Sequence, residues 1–268
     1  MPFTPSHAVI ALPFVRSPLV SAAIAIGAMT PDLPLFLPGA GLSYGFTHSS
    51  SNIVWTTLVA FVLLLVWRVL LRPASVELVP DAIAERLPDD WRRTGADATR
   101  ELVAPRERFG YPLLLVISLM LGVLSHIGWD LFTHEGRWGV EAIPALQQMW
   151  GPLAGYKWLQ HGSSVVGLLI IGVFTLIWLR RRPVAGRPRM LPRWARWIWM
   201  LSLPAILIGA WVFGLIVLGP LDASFTAHHL AYRVLPLASG VWGAITIALA
   251  LGIVITSARR GQKAGKQD

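Results

Sequence analysis

The stretch "YPLLLVISLMLGVLSHIGWDLF" (Tyr111–Phe132) decides the fold class. A helix needs roughly 20 mostly apolar residues to cross the hydrocarbon core of a bilayer, and this run supplies them with a single carboxylate. That carboxylate, Asp130, and the imidazole of His126 fall in the last turns of the segment, just before "THEGRWG" (133–139). An ionised side chain at membrane depth costs several kcal/mol, so it normally has both a partner and a task.

Four more segments qualify on the same ground: "NIVWTTLVAFVLLLVWRVLL" (52–71), "SSVVGLLIIGVFTLIWL" (163–179), "WIWMLSLPAILIGAWVFGLIVLG" (197–219) and "LASGVWGAITIALALGIVIT" (237–256). The composition agrees. Hydrophobic residues make up 54% and charged residues 14%, with mean hydropathy +0.59, whereas a soluble domain carries about a quarter charged residues. The chain predicts an all-α polytopic membrane bundle of about five transmembrane helices, a single integral-membrane domain over 1–268. Residues 72–110, with short surface helices, and 180–196 form its loops, and 257–268 a basic tail.

The first fifty residues differ. "SHAVIALPFVR" and "SPLVSAAIAIGAMT" predict two short helices hinged near Arg16–Pro18, with Ser6 and Ser17 as N-caps and Pro18 at the first helical position. Neither is long enough to span. A re-entrant or interfacial hairpin is expected over 1–51, a backbone tolerated in a membrane only where protein or a wet cavity surrounds it. The N-terminus lacks a basic leader region, and Pro13 and Arg16 interrupt its apolar run, so it does not read as a cleaved signal.

There is no cysteine, which excludes disulfides, thiolate metal sites and cysteine nucleophiles. The net charge of +9 resides in loops without a recognition motif, which argues against nucleic acid and for lipid contact. Arg180, Arg181, Arg182, Arg187, Arg189, Arg193 and Arg196 lie in 180–196. The tail carries Arg259, Arg260, Lys263 and Lys266, and 72–110 carries Arg92, Arg93, Arg106 and Arg108. The positive-inside rule makes these three segments, and the C-terminus, cytoplasmic. Residues 1–51, 133–162 and 220–236 then share the outer face of a multi-pass plasma-membrane protein.

All seven histidines, His7, His48, His126, His134, His161, His228 and His229, fall outside the cytoplasmic segments. His126 and Asp130 are i and i+4, on one helical face, and an imidazole with a carboxylate makes half a site for a divalent ion such as zinc. His7 opens the first short helix, Asp32 follows the second, and His48 in "GFTHSSSN" precedes the next span. Thr47, Ser49, Thr133 and His134 are placed to orient such ligands by hydrogen bonds. Plainer readings stand beside each: an ion pair for His126–Asp130, a turn at Asp32, helix ends for His48, His134 and His161, and loop positions for His228 and His229.

"FTPSHAVIALP", "GAMTPDLPLFL", "GFTHSS", "SHIGWDLFTHEGRWG" and "WLQHGSSVVGLLIIG" together resemble a bacterial family of polytopic membrane proteins known as a domain of unknown function. Their order also resembles the membrane-bound metal-dependent hydrolases, themselves likened to zinc-dependent phospholipase C-type enzymes. The resemblance implies His7, Asp32, His48, His126 and Asp130 as ligands of zinc, with manganese as the alternative. A site at lipid-headgroup depth suggests a phosphoester or lipid-like substrate, a phospholipid or another amphiphilic ester, among membrane lipids. The hydrolases often carry a second acid two residues after the first, where Pro34 stands here, and His-Arg before their T-H-S motif, where this chain has Tyr44–Gly45–Phe46. His134 or Glu135 is available to compensate and to act as general acid or base. The contrasting expectation is a non-enzymatic scaffold, assembly or transport-related protein with a structural polar cluster.

Overall fold

The computed structural model describes residues 3–103, 110–186 and 188–264, the last four by their backbone alone. Arg106, Arg108, Arg187 and Lys266, which entered the charge reading, lie outside the described residues, as does the side chain of Lys263.

The chain opens with a 3-10 helix, Thr4–Phe14, followed by α1 (Ser21–Met29), a 3-10 turn at Thr30–Asp32, α2 (Leu33–Phe36) and α3 (Tyr44–Thr47). A 3-10 turn leads into α4 (Ile53–Val66), which continues through a π-helical turn, Trp67–Leu71, into α5 (Arg72–Leu78). Short helices follow: α6 (Asp81–Ala84), a 3-10 turn at Asp89–Arg92 and α7 (Gly95–Val103). Then come α8 (Tyr111–Thr133), α9 (Trp138–Ala142), α10 (Pro144–Gln147) and a two-stranded hairpin, β1 (Met149–Trp150) with β2 (Leu153–Ala154). The long helices α11 (Gly155–Arg180), α12 (Arg193–Leu218) and α13 (Ala227–Ala264) complete the chain. Among the described residues, five helical segments are long and apolar enough to cross a membrane: Ser50–Leu78, Tyr111–Thr133, Gly155–Arg180, Arg193–Leu218 and Ala227–Arg260. The protein is an all-α polytopic bundle.

Several spans outrun the apolar runs that announced them, because hydropathy detects the greasy part of a helix and not its hydrogen-bonded ends. Tyr156 and Gln160 extend α11 toward the N-terminus and are buried there. Leu230, fully buried, does the same for α13 against Gly214, where an added Cβ would meet Leu230 Cδ1 at 2.6 Å. His161 is therefore internal to α11 and not a cap, and His228 and His229 stand in the first turn of α13 and not in a loop. The N-terminal caps also differ from expectation. Ser6 is inside the 3-10 helix, which Phe3 precedes, and α1 starts at Ser21, beyond Ser17 and Pro18. The Val20 N–H ahead of α1 is instead accepted by the hydroxyl of Ser118, at 2.9 Å, from α8.

The contacts divide into two units. One comprises the described residues of 1–34, 42–65 and 103–181. Its centre is the crossing of α1 with α8. A Cβ on Gly122 would lie 2.3 Å from Ile24 O and 2.9 Å from Gly27 Cα, and one on Gly27 would lie 2.3 Å from Leu119 O. Small residues of this kind let membrane helices meet backbone to backbone. Ser118, Gly122, His126 and Asp130 recur every four residues, so one face of α8 caps α1, crosses it and then carries the two polar groups.

The other unit comprises the described residues of 35–41, 66–102 and 182–268. Here α12 and α13 pair through Trp199 and Trp242, whose indoles donate to Thr246 Oγ1 and Ser202 Oγ. The basic segment before α12 is strapped to the end of α5. Asp81 accepts hydrogen bonds from Arg189 (2.8 Å), Arg193 (3.2 Å) and Arg196. Glu77 accepts the N–H groups of Met190 and Leu191. Three arginines of this basic segment thus share one carboxylate. Arg196, then Arg189 and Arg193, hold Asp81 down to about 2 from 3.8.

Two outcomes are expected. Gly122→Ala destabilises the protein by about 1–3 kcal/mol through overpacking, while Gly128→Ala, on the same helix with nothing within 4 Å of the new methyl, is neutral or stabilising in a thermal melt. Because the Asp81 pKa is depressed on folding, its contribution is complete above pH 3.8 and is lost as pH falls through about 2. Asp81→Asn should lower Tm at neutral pH and flatten the fall of Tm across that acid range.

Candidate metal centre

His126 and Asp130 sit in the last turns of α8, both buried, His126 at 0% exposure. The 3-10 helix lays His7 against them, its ring stacked on His126 with centroids 4.1 Å apart. Asp32 ends the Thr30–Asp32 turn directly after α1 and is also fully buried. His48 follows α3. Thr47 fixes that helix by donating from Oγ1 to the carbonyl of Pro31 at 2.7 Å, one residue before Asp32. Four separate backbone elements thus deliver five side chains to one place. His7, Asp32 and His126, and again His48, His126 and Asp130, offer ligand atoms within 4.8 Å of one another.

Hydrogen bonds settle the imidazole tautomers. His126 Nδ1 lies 2.7 Å from the carbonyl of Ala28, and His48 Nδ1 lies 3.0 Å from that of Tyr44. A carbonyl only accepts, so both Nδ1 atoms carry hydrogen and, in the neutral ring, both Nε2 atoms present lone pairs. Those two Nε2 atoms face each other at 3.2 Å. Asp32 Oδ1 lies 3.7 Å from His48 Nε2 and 3.6 Å from His126 Nε2, and Asp130 Oδ2 lies 3.5 Å from each. Four electron-rich atoms converge with no donor among them, which is stable only around a cation or proton.

A metal fits this donor set better than a proton does. Bonds of about 2.0–2.2 Å to a tetrahedral ion separate its donors by roughly 3.3–3.6 Å, close to the spacings seen. Asp32 Oδ1, Asp130 Oδ1 and His7 Nε2 are buried without a hydrogen-bond partner. One proton between the two Nε2 atoms would leave Asp32 Oδ1 unmatched, whereas an ion takes it up directly, and such groups are costly when unpaired. Burial, reinforced by His126, pushes His7 down to about 3, leaving it a neutral imidazole with a free lone pair.

The surrounding groups match the outer partners that orient metal ligands. Thr4 donates to Asp32 Oδ2 at 2.6 Å, and Tyr44 donates to Asp130 Oδ2 at 3.4 Å while stacking on His48 at 3.7 Å. Thr4, Tyr44 and the Ala28 carbonyl did not stand out in the sequence. Tyr44 precedes the "GFTHSS" stretch that carries His48, which was the available signal for it. Thr133 Oγ1 lies 3.2 Å from His134 Nδ1. Ser49 pairs with Ser51 and orients no histidine of the cluster. His134, half-buried at the rim with its pKa lowered by burial, places Nδ1 3.5 Å from Asp130 Oδ1. Glu135 is exposed, accepts from Tyr156 OH at 3.1 Å and is in neither grouping. His228 and His229 belong to the other unit, where His229 Nδ1 accepts the N–H of Thr226.

Fold and site together define a multi-pass helical membrane protein with buried His/Asp groupings able to hold a metal ion. The chain belongs to the DUF4184 family, described as a domain of unknown function, whose model matches residues 1–258. No curated protein and no solved structure matches it.

His126 Nε2 is common to both groupings, and one imidazole nitrogen binds one ion. Elemental analysis of protein reconstituted with zinc or manganese should therefore give one ion per chain. His126→Ala should abolish retention, and Thr4→Val should weaken it about 10–100-fold. Two ions per chain would contradict the single centre.

Proposed function

We propose that this protein is a metal-dependent hydrolase embedded in a bacterial plasma membrane, acting on a phosphoester or lipid-like bond at the outer face. The observation that carries this reading is the inward convergence of His48 Nε2, His126 Nε2, Asp32 Oδ1 and Asp130 Oδ2 with no donor among them. Zinc suits this nitrogen and oxygen set, and manganese is the alternative. The resemblance of the four motifs to membrane-bound zinc hydrolases supports the same class. The basic segments 72–110, 180–196 and 257–268 support a cytoplasmic C-terminus, which leaves the cluster's elements on the opposite side.

His48, His126, Asp32 and Asp130 would hold the ion, with His7, grouped with Asp32 and His126, beside them. Such an ion supplies a readily deprotonated water and a positive charge for departing oxygens. The chain's own groups do the rest. The Ala28 and Tyr44 carbonyls keep the two Nε2 lone pairs turned inward, and Thr4 and Tyr44 orient the carboxylates. His134, beside Asp130 at the rim, holds or passes a proton as general base or acid. Glu135, engaged by Tyr156, leaves that role to His134.

The test is turnover of a phosphodiester and a carboxylic ester probe by protein loaded with one zinc or manganese ion in detergent. Metal-dependent turnover is expected, lost in His126→Ala and Asp130→Ala. His134→Gln should retain the ion and lose about 10²–10⁴-fold in kcat. Loaded protein that turns over neither probe, or turnover that survives His126→Ala, overturns the proposal.

A further inference from the structure

A cavity of about 280 Å³ opens beside the cluster. Val9 and Ile10 of the 3-10 helix, Trp129 of α8, and Val166 and Ile170 of α11 form its walls, and His7 forms its inner end. His7 is the ring stacked on His126, so the cavity ends against the donor set, with one imidazole between them.

The walls are built by close contacts. Gly167 lets α11 approach the 3-10 helix, where an added Cβ would lie 3.0 Å from Ser6 O. The N–H of Phe3 donates to Ser164 Oγ at 2.8 Å, and Trp129 Nε1 donates to Ser163 Oγ at 3.2 Å. The hydroxyls of Ser125 and Ser163 already donate to Gly122 O and Gln160 O. A polar ligand would find little to pair with along this length, whereas a hydrocarbon chain requires nothing. The outer edge is formed by Val166 and Ile170, 54% and 46% exposed on a membrane-spanning segment, so it opens where lipid tails lie. At 280 Å³ the space is just below the range of about 300–1,000 Å³ for small-molecule sites, suited to one chain and not to a whole diacyl lipid.

We infer that this groove receives a single acyl chain of a membrane lipid and presents the lipid's polar end to the His/Asp cluster. The inference deepens the hydrolase reading and rests on it for the substrate role, but not for binding. It makes the substrate class amphiphilic, with chain recognition through Ile10, Trp129, Val166 and Ile170 and bond selection at the cluster.

The experiment uses the full chain in nanodiscs of phosphatidylethanolamine and phosphatidylglycerol. They are doped with a phosphatidylglycerol bearing a terminal diazirine on one palmitoyl chain. After photolysis, peptide mapping should find labelling at Val9, Ile10, Val166 and Ile170 at least five-fold above Ile208 and Val212, exposed apolar positions on α12. Val166→Trp and Ile170→Trp should each remove that excess and leave α12 labelling and the melting profile unchanged. Equal labelling at groove and α12 positions, or an excess indifferent to both tryptophans, overturns the inference. Chain-to-chain crosslinks at the groove would assign it to a second copy and overturn it too. A labelled groove without turnover keeps the acyl site and sinks the hydrolase. Turnover with an unlabelled groove does the reverse.

Discussion

The contact of Gly27 with Gly122 sets where the groups carried by α1 and α8 meet. With the two backbones touching, the Ala28 carbonyl reaches His126 Nδ1 at 2.7 Å and fixes that ring's tautomer. The same approach sets where α1 ends, and so where the Thr30–Asp32 turn places its carboxylate. Asp32 in turn receives Thr4, and Pro31 receives Thr47, which positions His48. Packing and chemistry are one constraint here: a methyl group at the crossing would displace the carbonyl before it disturbed any ligand directly.

The electrostatics follow from that geometry. Two carboxylates and three imidazoles are buried together, with one hydroxyl donor to each carboxylate. Such a set is costly as free groups and favourable as a coordination shell, because a divalent charge compensates both acids at once. The arginine-rich segment solves the converse problem in the other unit. It gathers Arg189, Arg193 and Arg196 on the single carboxylate of Asp81, which lies outside the spanning segments. Both clusters pair a surplus of one kind of group with few of the other, but only the first leaves buried acceptors unmet.

The fold class was legible because long apolar runs have few alternatives once charge is scarce. His126 and Asp130 were legible because both break such a run at one helical spacing. His7, Asp32 and His48 also joined the cluster, although nothing in their local sequence states that the elements meet. The hidden parts were those with no side-chain signature. The Ala28 carbonyl is backbone, Thr4 looks like an ordinary residue beside a proline, and Gly122 is one of 24 glycines in the chain. The cap at Ser6 failed because the first helix starts before it, at Thr4, and the cap at Ser17 failed because the Val20 N–H ahead of α1 found its acceptor on Ser118, ninety-eight positions away. Local rules cannot anticipate a cap lent by another helix.

The first helix turns three residues per revolution, so Thr4, His7 and Ile10 stand in one eclipsed row. That row meets Asp32, then His126, then the groove. At about 2.0 Å per residue the eleven residues reach roughly 22 Å, where an α-helix would reach roughly 16 Å. The segment is in effect a ruler with graduations about 6 Å apart, set by helical pitch and not by any one contact. Adding or removing a single residue between Thr4 and Ile10 would turn one graduation out of line by a third of a revolution, so spacing here constrains the chain as strongly as residue identity does.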